Sequence, residues 1–242
     1  MHQEKEKKLL SSNWVEHWSS RKIDYDIMKV SAKYFVDCYK KYFGFSQADI
    51  VLDFGAGLGD VSFLIKDKVR RIYLYDKSLY LMSTMKRRFD KFQNVYIVNH
   101  YQEINETVSV IIINSVIQYM SHDEIKDLFS QLQDICNIKT RIIISDIVPS
   151  NYSKILDGLS QLKASIKYMF FKKYISFIIT NIISNPNLSL KTSVFYMYDE
   201  DEIKQILFDH GYTSTKMDGN FSYSLHRYTL ECKLIDIKKY EF

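Results

Sequence analysis

The chain has 242 residues, 46% of them hydrophobic and 26% charged, with a formal net charge of +4. That mixture can bury an ample core and excludes a disordered or fibrous chain, while the scattering of Lys and Arg gives no concentrated basic face of the kind nucleic-acid binding needs. The three cysteines, Cys38, Cys136 and Cys232, are too far apart for a metal-type spacing and leave one over from any disulfide, which points to a reducing cytoplasm and to no metal site.

The first ten residues mix charges and lack a following apolar core, so they do not read as a secretory signal. Trp14, Trp18, Ile27, Val30, Tyr34, Phe35, Cys38 and Tyr42 recur at helical spacing, which predicts an N-terminal helical cap over residues 1–45 that ends at Gly44. Residues 46–150 then alternate between strand and helix patterns. Strands are expected at 50–54, 71–75, 95–98, 109–114 and 141–146, with helices at 59–67, 78–90 and 122–136. Such alternation specifies an α/β domain with a parallel sheet, right-handed crossovers and helices on both faces.

The most informative stretch is Val51-Leu52-Asp53-Phe54-Gly55-Ala56-Gly57-Leu58-Gly59-Asp60, an apolar strand that ends in an acid and runs into three alternating glycines. Bare backbone of this kind lets a ligand approach closely. A dinucleotide fingerprint reads G-x-G-x-x-G and would require a small residue where Asp60 stands; a carboxylate there repels a pyrophosphate. The order D-x-G-x-G-x-G suits a ligand with an ammonium group and hydroxyls instead. The next strand, Arg71-Ile72-Tyr73-Leu74-Tyr75-Asp76, ends in a second acid, 17 residues after Gly59, placed to accept both hydroxyl hydrogens of a ribose.

At these residues the chain resembles the class I S-adenosylmethionine-dependent methyltransferases of small-molecule type, over roughly Ile50 to Val148 with a weaker match near the C-terminus. The resemblance implies a Rossmann-like, seven-stranded, mostly parallel sheet whose last strand is antiparallel, with a helical insertion after the fifth strand. It implies S-adenosylmethionine as cofactor, with S-adenosylhomocysteine as product. By position, the loop under the methionine and ribose falls to Asp53, Gly55, Ala56, Gly57 and Gly59, and the ribose edge to Asp76 and Lys77. The acid that the family often places after the third strand, for the adenine amine, is missing, and Asn99 and His100 occupy that region. In many relatives the fourth strand begins with Asp, where this chain has Ser109; Asn114 and Ser115 lie at its carboxyl end, where open α/β sheets bind ligands.

Beyond Pro149 the pattern changes to long helical stretches over 151–184, read as part of a lid insertion spanning 151–195. Residues 196–242 are expected to complete the core with a helix at 203–210 and strands at 212–217 and 223–234. The insertion carries an apolar run, 168–183, interrupted by Lys172 and Lys173. A membrane span is excluded by those lysines and by the polar residues in the run. Packing on the domain or a second subunit, an apolar acceptor pocket or lid, and docking on a bilayer surface through Lys163, Lys167, Lys172 and Lys173 all remain open.

Methyl transfer from a sulfonium asks mainly for orientation, and a base only where the acceptor is protonated and weakly acidic. Three groups are candidates for that base: His122 close after the fourth strand, His17 on the N-terminal helix, and Asp146 at the end of the fifth strand. Ser121 with Glu124 resembles a capping box, which gives His122 a structural alternative. Tyr119, Tyr196 and Tyr198 are candidates for the substrate opening. Motifs of nucleic-acid amino-methylating, arginine-methylating and magnesium-dependent catechol-type enzymes are absent from the sequence, which leaves a small-molecule acceptor. Oxygen is the first choice of target atom and nitrogen the second, by family frequency. A non-catalytic binding module of the same fold is the alternative, and a nicotinamide-dependent oxidoreductase a weaker one. The expected assembly is a cytoplasmic protein with no transmembrane segment, for which a homodimer stays open.

Overall fold

The computed structural model describes residues 25–172, 175–176 and 195–236. His17, Trp14, Trp18 and most of the apolar run of 168–183 lie outside them. Helix α1 (Tyr25–Tyr42) leads to strand β1 (Ile50–Phe54), helix α2 (Asp60–Ile65), strand β2 (Arg71–Tyr75), helix α3 (Leu79–Phe89) and strand β3 (Val95–Ile97). Strand β4 (Val110–Asn114), helix α4 (His122–Leu132), strand β5 (Arg141–Ile147) and helix α5 (Lys154–Lys167) follow, and helix α6 (Glu200–Asp209) with strands β6 (Tyr212–Lys216) and β7 (Tyr228–Leu234) completes the order.

The strands form one sheet in the order β3-β2-β1-β4-β5-β7-β6. All neighbours pair in parallel except β7, which runs antiparallel between β5 and β6. The central strands are mostly apolar because both faces are covered, with Asp53, Asn114, Ser145 and Asp146 confined to their carboxyl-terminal halves. Ile50, Leu52, Phe54, Ile111, Ile113, Ile142 and Ile144 point into a core shared with α4 and α6. Val51, Val110, Ile112 and Ile143 point the other way, to a core shared with α1, α2 and α3. Phe35 and Tyr39 of α1 are fully buried in that second core, so this helix is part of the domain's own packing.

The strand order reverses between β1 and β4, and a crevice outside the carboxyl ends of the strands follows from that switch. Helix starts are fixed by local chemistry. Ser78 caps α3, Ser153 caps α5, and Ser121 with Glu124 forms a full capping box on α4. Helix α6 begins at Glu200, earlier than the apolar pattern predicts, because Glu200, Asp201 and Glu202 fill its first turn and complement the helix dipole. Ser109 sits at the opposite end of the sheet from the crevice, where its hydroxyl donates to Asp49 Oδ1 at 2.8 Å and accepts from Ile50 N at 3.0 Å. It ties β1 to β4 there and takes no part in the site.

The expected strand over 223–234 starts only at Tyr228. The residues before it turn inward: Asn220, Ser222, Ser224 and Arg227 are buried around Asp146 and Asp157 instead of pairing with β5. The β5–β7 register shifts between Ile144 and Ile147 at the same place, an irregularity of the kind that re-aims side chains. Phe170, from the apolar run, is buried against Ala164 and Tyr223. Among the described residues no helix is long and apolar enough to cross a membrane.

Candidate functional site

A cavity of about 550 Å³ opens at the carboxyl edge of β1, β2, β4 and β5, within the usual size of small-molecule sites. Its floor is the glycine loop. The last carbonyl of β2, Tyr75 O, accepts from Gly55 N at 2.8 Å and Ala56 N at 3.0 Å, which folds the loop back over the sheet. Gly57 N donates to Asp76 Oδ2 at 2.9 Å, and Ser78 N donates to Asp76 Oδ1 at 2.8 Å, so the carboxylate at the tip of β2 is held rigidly at the rim.

The glycines have different tasks. At Gly57 (φ +60°) an added Cβ would meet only Met28 Cε, at 3.5 Å, and would otherwise enter the cavity. At Gly59 (φ +73°) it would lie 2.6 Å from Phe89 Cε2, and at Gly55 2.4 Å from Val116 Cγ2. Gly59 does not line the cavity; it lets α2 approach α3, so its expected ligand role gives way to a packing role.

The floor is acidic. Asp53 is buried beneath it and accepts from Ser62 Oγ at 2.6 Å. Its pKa is pushed up to about 6, by burial first and then by the charges of Asp76 and Asp60, with the Ser62 hydroxyl opposing. Asp76 is likewise raised by burial, against the pull of the Ser78 and Gly57 N–H groups. Asp60 pairs with Arg88 through Oδ1 at 2.7 Å, while its buried Oδ2 has no partner among the described residues. Three carboxylates on one wall, one of them with an orphaned oxygen, form a site that a cation relieves and a phosphate opposes.

On the β3 side the cavity is aromatic. Tyr75, His100 and Tyr101 cluster there, His100 stacking on Tyr101 at 4.6 Å between ring centres. The Tyr101 hydroxyl, its pKa pushed up to about 12 chiefly by burial, donates to Gln131 Oε1 at 2.6 Å. Asn99 is exposed and does not line the cavity, so its expected contact is not formed. Asp127, Leu128 and Gln131 of α4 line this end instead. No residue spacing near β3 points to them, because it is the packing of α4 against Tyr101, in the segment after β3, that brings them in. Lys77 lies at the rim, 3.7 Å from Glu124.

The other half of the cavity lies over β4 and β5, where Asn114, Ser115, Gln118, Tyr119 and Asp146 are joined by Gln161 of α5 and by Tyr223. Ser115 (φ +59°) and Asp146 (φ +65°) are both left-handed, and the Ser115 hydroxyl donates to Asp146 Oδ2 at 2.8 Å. Asp146 also accepts from Arg227 Nη1 at 2.9 Å, from Asn220 Nδ2 at 3.3 Å and from the Ser222 hydroxyl. Both carboxylate oxygens are engaged by protein donors, so Asp146 is a positioning residue and the expectation of a base is corrected. Arg227, 8% exposed, donates through Nη2 to Asp157 Oδ2 at 2.8 Å and so joins the β5 edge to α5. Nothing in the sequence singles out this residue beyond an arginine beside an apolar strand.

His122 lies away from the cavity. Its Nε2 pairs with Glu202 at 2.7 Å and its ring abuts Tyr198, so it fastens α4 to α6. Tyr198 is fully buried, with its hydroxyl on Met120 O, and Tyr196 N donates to Gln118 O at 2.9 Å. These tyrosines buttress the loop after β4 from behind and do not line the opening, in contrast to Tyr119.

No family model matches the sequence, and no curated protein is found similar to it. Among solved structures the chain is similar to DhpI in complex with SAH, with a TM-score of 0.60 and 9% identity over 94% of this chain and 98% of that one. It is similar to magnesium protoporphyrin IX methyltransferase (ChlM) from Synechocystis PCC 6803 with bound SAH, at TM-score 0.55 and 15% identity over 92% and 93%. A third similar structure is a S-adenosylmethionine-dependent methyltransferase from Clostridium acetobutylicum ATCC 824, at TM-score 0.56 and 13% identity over 88% and 93%. At such identities the likeness is one of fold: the chain has the Rossmann-like methyltransferase fold.

Proposed function

We propose that the chain is an S-adenosylmethionine-dependent methyltransferase acting on a small-molecule acceptor. The observation that carries this reading is the wall of Asp53, Asp60 and Asp76 around an open glycine loop, with a buried Asp60 oxygen that has no partner among the described residues. It fits a ligand that is positively charged and carries ribose hydroxyls. The pyrophosphate of a nicotinamide dinucleotide would face the same carboxylates, which counts against the oxidoreductase alternative.

When bound, S-adenosylmethionine supplies a methyl group activated by its sulfonium for in-line displacement. Asp76 would hold the ribose. Tyr75, His100, Tyr101 and Leu128 would enclose the adenine, with Asp127 as acceptor for its amine. The backbone at Gly55, Ala56 and Gly57 would support the methionine portion, and the acidic wall would supply counter-charge for its ammonium. Asn114 and Ser115 would meet the acceptor and cofactor where the two halves join. The protein's contribution to rate is alignment and exclusion of water, for which no base is needed. Oxygen remains the first choice of target atom and nitrogen the second.

Calorimetric titration with S-adenosylhomocysteine and with NADH tests the reading. Binding of the first alone is expected; binding of NADH alone would overturn it. Transfer of labelled methyl groups to candidate acceptors separates an enzyme from a non-catalytic module that keeps the cofactor pocket.

A further inference from the structure

Gln118 stands in the single-turn helix after β4, at the acceptor end of the cavity, with 5% of its surface exposed. Its Oε1 accepts from Arg227 Nη1 at 3.2 Å. A guanidinium has only donors, so this contact decides which way the carboxamide faces: oxygen toward Arg227, nitrogen away from it. Arg227 is itself immobilised, because its two terminal nitrogens are bonded to Asp146 and Asp157. The Gln118 amide nitrogen has no protein partner among the described residues and is not sealed from solvent, so its N–H groups open on the cavity that the residue lines.

We propose that Gln118 determines acceptor specificity, and that the acceptor carries a carbonyl or carboxylate oxygen received by the Gln118 NH₂. The proposal deepens the methyltransferase reading and rests on it. An acceptor lacking that oxygen leaves a desolvated donor pair without a partner and is selected against, whereas an ammonium in its place meets N–H groups that cannot accept from it. Neighbouring Ser115 commits its proton to Asp146 and has none to offer the acceptor.

The substitution Gln118→Glu isolates the effect. It preserves side-chain shape and an oxygen for Arg227, and replaces the cavity-facing NH₂ with a carboxylate oxygen. Protein labelled with ¹⁵N and saturated with S-adenosylhomocysteine is titrated with benzamide, benzoate and benzylamine, which share a ring and differ in the polar group. In the unaltered protein, benzamide and benzoate are expected to shift the Gln118 side-chain NH₂ resonances and to bind more tightly than benzylamine. In Gln118→Glu their affinity falls by about tenfold, the scale of one hydrogen bond, and the order of preference reverses. An order unchanged by the substitution, or no movement of the Gln118 resonances with any of the three, overturns the proposal while leaving the cofactor reading standing. Failure of the unaltered protein to bind S-adenosylhomocysteine overturns that reading and this proposal with it.

Discussion

At the scale of single residues, Asp53 couples the site to pH. Its folded pKa of about 6 lies above the value of about 3.9 for an unfolded aspartate. The protonated form therefore supports the ligand-free fold fully below about pH 4, and that support is lost as pH rises through about 6. A cationic ligand favours the ionised form, so its binding releases a proton in this window. S-adenosylmethionine affinity should climb between about pH 4 and 6, by at most about tenfold per unit, and level off above. Calorimetry across that range should lose the step in Asp53→Asn; a step that persists assigns it to another group. Asp76→Ala should weaken S-adenosylhomocysteine binding by about 1–3 kcal/mol, and unaltered affinity would reject its place at the ribose. The glycines separate stability from binding. Gly59→Ala forces a methyl against Phe89 and should lower the melting temperature, whereas Gly57→Ala adds about 1–2 kcal/mol of left-handed strain and a methyl inside the cavity, and should lose affinity as well. Asp53, Asp76 and the loop between them were legible in the sequence because strand ends and glycines mark their own positions. The packing duty of Gly59 was not, since its neighbour Phe89 comes from the far end of another helix.

At the scale of elements, the segment 219–227 matters most, and its part from Tyr223 onward was expected to be strand. Ser224 and His226 alternate with Tyr223 and Leu225 well enough to imitate one, and Asp146, legible as a strand-end acid but not as a partner of this segment, draws Asn220 and Ser222 inward. Arg227 is drawn in with them. Burial alone would favour its neutral form, but Asp146 and Asp157 outweigh that and hold it charged. Removing the guanidinium leaves two carboxylates buried without their counter-charge, so Arg227→Met should cost about 3–5 kcal/mol in chemical denaturation. A loss below about 1 kcal/mol would mean that water already reaches the cluster. The adenine end shows the same limit of legibility: Asp127 and Gln131 sit on the predicted helix, yet which of its faces meets Tyr101 depends on how α4 docks.

At the scale of the whole molecule, a parallel α/β sheet was legible in the sequence, since alternating strand and helix patterns leave few topologies with right-handed crossovers, whereas the order of its strands was not. Ligand binding should be felt by the entire domain. At a concentration about 100 times the dissociation constant, S-adenosylhomocysteine should add about 2.7 kcal/mol, raising the melting temperature by about 5–10 °C, while NADH leaves it unmoved. Equal shifts with both would contradict the acidic-wall argument. The insertion of β7 between β5 and β6 also has a consequence for biogenesis. The glycine loop, Asp76 and the aromatic end are all translated by residue 131, yet Arg227 and β7 emerge about a hundred residues later. A nascent chain exposed only as far as Lys216 would thus hold its nucleoside-side walls but keep β6 waiting for a neighbour not yet available, so ribosome-bound intermediates should acquire nucleoside recognition before acceptor recognition.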